Sequence, residues 1–307
     1  MKHSSNAVRL TNGSAIRACG LMLLTAIVVL PTGCGNSVNA GPRADAKAVE
    51  EIRKTLAAGA TDSKTEAAGE ETAAASGWGT IKGKFKIVGT APQQGPPLPM
   101  AKANADCSKH NVYDESLVVK GDALQGGIIF ARTPKLEVSP DAQTPSGEIV
   151  LDNKECRFEP HVIFAQAGQK ISVKNSDAFG HNTKIDSIIN PPQNFSLPAS
   201  AAIDYTFEKE EQLPVKVGCS IHPWMGAWVL VRSNPYGAVS DSKGEFTIAK
   251  LPAGREIEFQ LWQEKTGFLK DAKSDAVKVD GKGRFKTKLE PDQELVLEFS
   301  IPVDSLK

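Results

Sequence analysis

Residues 214 to 232 read PVKVGCSIHPWMGAWVLVR, and this stretch decides the fold. Apolar and polar residues alternate from Pro214 to Cys219, and an apolar run follows from Ala227 to Arg232. Such patterns are typical of β-strands that bury one or both faces. The stretch therefore predicts two strands joined by a short loop, and that loop carries unusual chemistry.

The loop has the pattern C-x-x-H-x-x-M, formed by Cys219, His222 and Met225. A second histidine, His181, follows another alternating strand at Lys170 to Lys174. A thiolate, two imidazoles and a weak thioether form a mixed donor set that favours Cu(I) and tolerates Cu(II). Zinc usually recruits further thiolates, imidazoles or a carboxylate and has little use for methionine. The four residues therefore predict a copper site.

Short alternating runs broken by Gly, Pro, Asn and Asp recur on both sides of this block. No comparably long amphipathic helix interrupts them, so the folded part is predicted to be all-β, built as sandwiches or barrels. The other predicted strands are Thr80 to Val88, Leu117 to Lys120, Gly127 to Ala131, Glu148 to Leu151, Val162 to Ala165, Tyr205 to Glu208, Glu245 to Ala249, Glu256 to Trp262, Ala276 to Val279 and Glu294 to Phe299.

Residues 155 to 233 resemble a cupredoxin, the family of type 1 (blue) copper proteins. The resemblance rests on Phe158-Glu159-Pro160, the turn at 168–170, the His181-Asn182 pair and the C-x-x-H-x-x-M loop, whose spacing is most similar to that of amicyanin. It implies a cupredoxin-like Greek-key β-barrel or sandwich. It also implies one type 1 copper with His181, Cys219 and His222 as equatorial ligands and Met225 as the axial ligand.

The resemblance extends to residues around the ligands, which orient and tune a metal. Asn182 is expected to bond to Ser220 and to direct its backbone N–H at the Cys219 sulfur. Ile221 stands where amicyanin has proline, so it retains an N–H for the thiolate, and a higher reduction potential is expected. Pro223 and Trp224 either form an apolar docking patch for a redox partner or, in the case of Trp224, simply pack under the loop.

Each of these residues also has an ordinary structural explanation. Cys219 could be an inert buried thiol, and the two histidines could be satisfied loop residues of a metal-free cupredoxin. After the N-terminal signal only four histidines and two methionines remain, and half of each fall at ligand positions, which favours a site. A Cys-His hydrolase would need an acid or amide partner, and the sequence shows none. His161 begins a strand and is expected to be structural.

The N-terminus resembles a lipoprotein signal. Residues 1–33 hold basic residues and then an apolar run shorter than the roughly 20 residues that a spanning helix needs. Cys34 follows, and we expect it to be lipidated. Residues 34–77 are rich in Ala, Gly and Glu and predict a flexible tether.

Three cysteines remain in the folded part, and an exported protein normally pairs them. Because Cys219 has another use for its sulfur, we expect Cys107 and Cys156 to form a disulfide.

The folded part is divided into residues 78–135, 136–233 and 234–302, with the copper domain in the middle. In the last of these, Asp241 and Gly244 suit a hairpin turn and Gly254 a position of positive φ, a pattern that resembles the transthyretin or carboxypeptidase-regulatory β-sandwich. Ordinary turn chemistry in any β-sandwich explains them equally well. Residues 78–135 are expected to add strands to this flanking sandwich.

The 36 basic and 36 acidic residues balance, so no global field favours nucleic acid, and membrane contact is expected only through the lipid. We expect a periplasmic or cell-surface electron carrier, not an enzyme, that serves a protein partner such as a cytochrome or quinoprotein. Two alternatives stay open. One is a surface-anchored sandwich that binds carbohydrate or protein, and the other is copper storage or delivery.

Overall fold

The computed structural model describes residues 75–142 and 148–306. The predicted signal, Cys34 and the predicted tether as far as residue 74 lie outside these ranges. Within them, no helix is long and apolar enough to cross a membrane.

The regular secondary structure of the described residues is almost all β-strand, with one short α-helix and a terminal 3-10 helix. The all-β prediction is therefore confirmed. In chain order the elements are β1 Trp78–Val88, α1 Pro99–Ala103, β2 Val118–Lys120, β3 Ala123–Gln125, β4 Ile128–Ala131, β5 Ile149–Lys154, β6 Arg157–Glu159, β7 Val162–Gln166, β8 Lys170–Asn175, β9 His181–Ile185, β10 Gln193–Leu197, β11 Ala202–Thr206, β12 Val215–Gly218, β13 Gly226–Arg232, β14 Gly237–Val239, β15 Glu245–Pro252, β16 Glu256–Gln263, β17 Gly267–Phe268, β18 Arg284–Lys288, β19 Glu294–Pro302 and the 3-10 helix Val303–Leu306.

The first sandwich combines strands from both ends of the described chain. One sheet has the order β15-β1-β3-β2, with β19 also paired to β1, and the other has the order β14-β4-β16-β17, with β18 paired to β16. Phenylalanine rings fill the space between the sheets: Phe85 lies 5.0 Å from Phe246 and 5.5 Å from Phe299, measured between ring centroids. Burial of such rings supplies much of the free energy of folding.

The second sandwich is built from β5 to β13. Its sheets have the orders β10-β9-β12-β13-β7 and β11-β8-β5-β6. The buried side chains between them form a separate apolar cluster that includes Leu151, Phe158, Val173, Phe207 and Val229. Because β1 to β4 and β14 to β19 share the sheets of the first sandwich, this second sandwich is inserted between β4 and β14.

The two sandwiches meet through β7 and β13 of one and β4 and β16 of the other. Ile128, Phe130, Leu230 and Trp262 form a buried cluster there, and the Trp228 and Trp262 rings lie 5.1 Å apart. The guanidinium of Arg232 lies 5.1 Å from the Phe130 ring centroid and donates to the Ala131 carbonyl at 3.3 Å. The inserted sandwich is therefore packed firmly against its host.

The predicted turns in the last third of the chain are present, but they do not join hairpin partners. Asp241 and Gly244 link β14 to β15, which lie in different sheets. The Asp241 carboxylate accepts from the Lys243 and Glu245 backbone N–H groups, and Gly244 has φ +75°. Gly254 has φ +83°, as expected, between β15 and β16. The turns thus carry the chain from sheet to sheet.

The strand predictions differ from the structure at several places. Residues 276–279 form a bend and irregular chain instead of the predicted strand, although Val277 and Val279 pack against the first core. The strand expected at Tyr205 to Glu208 runs from Ala202 to Thr206. Seven strands had no clear signal in the sequence: β3, β6, β9, β10, β14, β17 and β18. They are short, as β17 is, or rich in polar residues, as β9 and β10 are, so alternation is hard to recognise in them.

Candidate metal centre

The two loops that carry the predicted ligands lie at the same end of the inserted sandwich. β9 begins at His181, and β12 ends at Gly218, immediately before Cys219. The two strands are antiparallel neighbours, with Gly218 opposite Lys184. The start of one strand therefore adjoins the end of the other, which brings His181 to the loop of Cys219 and His222.

His181, Cys219 and His222 form a buried group whose ligand atoms all lie within 4.8 Å of one another. The Nδ1 atoms of the two histidines are 2.9 Å apart, and Cys219 Sγ lies 3.8 Å from His222 Nδ1. Two atoms that bind one ion through bonds of about 2.0–2.3 Å are separated by distances of this order. The thiol and the two imidazoles therefore converge on one point and fit a single metal ion.

Met225 closes the same loop. Its backbone N–H donates to the His222 carbonyl at 2.9 Å, and its carbonyl accepts from the Cys219 N–H at 3.3 Å. The side chain is 3% exposed and belongs to the apolar cluster that includes Cys219. The loop is thus a compact turn that keeps the thioether inside, at the metal end of the sandwich.

Asp177 supports His181, and the sequence analysis missed this residue. The Nε2 of His181 lies 2.8 Å from the Asp177 carboxylate, which can only accept, so Nε2 donates and Nδ1 is left for the metal. The same carboxylate accepts from the backbone N–H groups of Glu155 and Cys156 at 2.7 and 3.0 Å. Carboxylate–histidine pairs of this kind orient metal-binding imidazoles. An acid four residues before a ligand histidine was the available signal.

Asn182 joins the two ligand loops. Its side-chain oxygen accepts from the Ser220 N–H at 2.6 Å, and its own backbone N–H points at Cys219 Sγ at 3.5 Å. Its amide nitrogen also contacts Ser220 Oγ at 3.4 Å and donates to Asn194 in a short hydrogen bond. These bonds hold the start of β9 against the loop of Cys219.

The surroundings of Cys219 favour the thiolate, which is the form that binds metals. Burial raises the pKa of the thiol, but a hydrogen bond with His181 and three backbone N–H groups outweigh it, so the pKa lies below its usual value. The three N–H groups belong to Asn182, His222 and Ile221. The Ile221 amide is one of these groups, and its expected effect on the reduction potential stays a prediction.

The two histidines differ in their electrostatic surroundings. Burial lowers the pKa of His181, but Cys219 and Asp177 raise it more, so it lies above its usual value. Burial, followed by the charge of His181, lowers the pKa of His222. The neutral imidazole that a metal requires is therefore readily available at His222.

Asp177 provides the acid partner that the sequence did not show for a Cys-His hydrolase. The burial of the site nevertheless argues against hydrolase activity. The exposed fractions of His181, Cys219 and His222 are 1, 5 and 2%. A nucleophilic cysteine must be reached by its substrate. Burial of all three groups suits a coordination site better.

The remaining predicted residues take mixed positions. Pro223 is exposed, but Trp224 packs against the Cys107–Cys156 disulfide and donates from Nε1 to the Cys156 carbonyl at 3.1 Å. The predicted disulfide is present, with the two Cα atoms 5.8 Å apart. His161 lies outside the metal group, where its Nε2 contacts Glu264 at 2.5 Å.

Comparison with known proteins gives structural similarities alone. No family model and no curated protein matches the chain. An oxidised P96G mutant of amicyanin is 17% identical at a TM-score of 0.25, covering 34% of this chain and 97% of that one. A purple cupredoxin from Nitrosopumilus maritimus is 22% identical at 0.24, covering 28% and 98%. A copper-containing nitrite reductase from Thermus scotoductus SA-01 is 19% identical at 0.25, covering 48% and 28%.

Proposed function

We propose that this chain is an exported type 1 copper protein that carries single electrons and has no catalytic activity of its own. The observation that carries the proposal is the buried convergence of Cys219 Sγ with the Nδ1 atoms of His181 and His222. With Met225 on the same loop, this donor set suits an ion that alternates between Cu(I) and Cu(II). The bound ion would supply the one-electron couple.

The protein contributes rigidity and exclusion of water. The proposed ligands lie at the start of β9 and in the loop that follows its neighbour β12, and Asp177 and Asn182 fix His181 and the Cys219 loop. A site held in this way changes little when the charge of the ion changes, which keeps electron transfer fast. The proposed partner is a protein such as a cytochrome or quinoprotein in the periplasm or at the cell surface. The proposed attachment to the membrane is through lipid on Cys34.

Spectroscopy of the full-length chain loaded with copper tests this proposal. Charge transfer from a cysteinate to Cu(II) should give an intense absorption in the visible range. Cys219→Ser should abolish the colour, whereas Cys107→Ser paired with Cys156→Ser should retain it. A protein that folds but binds no copper, or a Cys219→Ser variant that keeps the colour, would overturn the proposal.

Copper storage or delivery is a second candidate, and the burial of His222 favours it. A carrier normally exposes a ligand edge to its partner, whereas His222 is 2% exposed. Voltammetry separates the two functions. Reversible cycling of the bound copper supports the carrier, and a site that loses its metal on each reduction supports storage or delivery.

A further inference from the structure

The burial of His222 is unlike that of its neighbours in the loop. Its neighbours in the loop, Ile221 and Pro223, are both exposed, Ile221 to 56%, while His222 itself is 2% exposed. The rings of Trp224 and Phe179 lie 5.2 and 6.1 Å from its imidazole. The same two rings pack against a buried cluster that includes Ala101, Cys107 and Val112, which belong to residues 98–112, a segment that we term the cover.

The cover is a closed loop with its own internal bonds. Its ends meet, because the Leu98 N–H donates to the Val112 carbonyl at 2.8 Å. It contains α1, and the Asn104 side chain accepts from the backbone N–H groups of Asp106 and Cys107 at 2.9 and 3.0 Å.

The cover is fastened to the metal end of the sandwich. Ala101, Cys107 and Val112 are buried together with Cys156, and Leu98, Phe179 and Trp224 pack against them. The Cys107–Cys156 disulfide makes the attachment covalent. Trp224, two residues after His222, donates to the Cys156 carbonyl at 3.1 Å. The cover is therefore attached by apolar packing and by a covalent bond. The hydrogen bond of Trp224 connects the ligand loop to the same point of attachment.

We propose that this cover controls access to the metal centre. Fastened by Cys107–Cys156, it keeps solvent, chelators and small redox reagents from the His222 side and sets the rate of metal exchange. The metal-exchange part of this inference rests on the proposed copper site; the shielding of His222 does not.

Removing the cover provides the first test. Because Leu98 and Val112 are hydrogen-bonded neighbours, residues 99–111 can be replaced by a two-residue Asn-Gly turn, together with Cys156→Ser. The second variant is Cys107→Ser with Cys156→Ser, which leaves the cover in place without its covalent attachment. Circular dichroism shows whether each variant folds, because a folded variant keeps the β-sheet spectrum of the unmodified protein.

Diethyl pyrocarbonate, which modifies accessible imidazoles, gives a readout that needs no metal. Peptide mapping of the metal-free full chain should show His222 reacting about tenfold or more faster in both variants than in the unmodified protein, since local opening governs such rates. His181, which lies against Asp177 in the sandwich, should stay protected and serves as the internal control. Equal protection of His222 in either folded variant overturns the proposal. If the replacement variant does not fold, the disulfide variant decides.

Removal of copper by a Cu(I) chelator such as bathocuproine disulfonate gives the second readout. In the presence of ascorbate, the colour should fade about tenfold or more faster in both variants. If the colour fades no faster in variants whose His222 has become reactive, copper does not leave through the side of the site that the cover shields. That result would overturn the claim that the cover sets the rate of metal exchange. If the unmodified protein never becomes coloured, the copper proposal fails, and the reactivity of His222 still decides whether the cover shields it.

Discussion

Asp177 accepts a hydrogen bond from His181 at 2.8 Å. The same carboxylate accepts from the backbone N–H groups of Glu155 and Cys156, in the turn that carries the disulfide. One carboxylate therefore fixes the orientation of a ligand imidazole and anchors the residue to which the cover is attached. The metal centre and its cover share this support.

Asp177→Asn should weaken Cu(I) binding by about 10- to 100-fold, because an amide holds the imidazole less strongly and lowers its basicity. Competition with a chelator of known affinity measures the change. Asp152→Asn is the matched control, since Asp152 accepts from Ser176 at an exposed position away from the ligands. Equal affinities for the two variants would contradict the role given to Asp177.

Ile221→Pro should lower the reduction potential of the bound copper. Proline removes one of the N–H groups that act on Cys219, and a thiolate with fewer hydrogen bonds donates more charge and stabilises Cu(II). Ile221→Ala keeps the N–H and loses only a side chain that is 56% exposed, so it controls for the change in shape. Redox titration of both variants checks this, and a proline variant whose potential does not fall refutes it.

The contact of His161 with Glu264 predicts a dependence of stability on pH. Burial lowers the pKa of His161, but Glu264 and then Glu115 raise it more, so in the folded protein it lies above 6.5. The stabilisation is therefore complete below pH 6.5 and is lost as the pH rises through the raised pKa. His161→Gln should lack this decline.

Urea unfolding of the copper-loaded protein across this pH range gives the measurement. His110→Gln is the control, because His110 lies in the cover and away from Glu264. If the His161→Gln variant loses stability with rising pH as steeply as the unmodified chain, the ion pair is not its source.

Gly244→Ala should destabilise the first sandwich by more than about 1 kcal/mol. Gly244 has φ +75°, and a Cβ there would lie 2.6 Å from the Phe85 carbonyl oxygen. Gly281 has ordinary φ and open space around it, so Gly281→Ala should change the free energy of unfolding little. Thermal unfolding of both variants tests the difference, and similar midpoints would contradict it.

The sequence predicted the ligand loops because short-range spacing determines them. Cys219, His222 and Met225 lie within one turn, and the strands before and after them alternate clearly. β9 was missed because its residues HNTKI alternate poorly: His181, Asn182 and Thr183 are all buried. The Asn182 side chain accepts from Ser220 in the ligand loop, and the Thr183 hydroxyl accepts from Asn153 in the facing sheet. Burial of this kind is a tertiary effect that local patterns do not contain.

The cover could not be predicted for a related reason. Residues 98–112 have no recognisable period, and their place over His222 depends on Cys107 meeting Cys156, 49 positions later, and on Trp224. The cysteine count predicted the pairing but not the position of the segment. For the same reason the sequence could not settle whether Trp224 forms a docking patch or packs inside: it packs against the Cys107–Cys156 cluster, whereas Pro223 is exposed.

The pairing of the outermost strands has a consequence for how the chain folds. β1 and β19 run parallel, with Thr80 opposite Glu294 and Val88 opposite Pro302. During synthesis the host sandwich therefore cannot close until its last strand has been made, whereas the inserted sandwich has all its strands much earlier. The metal-bearing part can acquire its structure first, and the host then assembles around its two ends as the slow, long-range step.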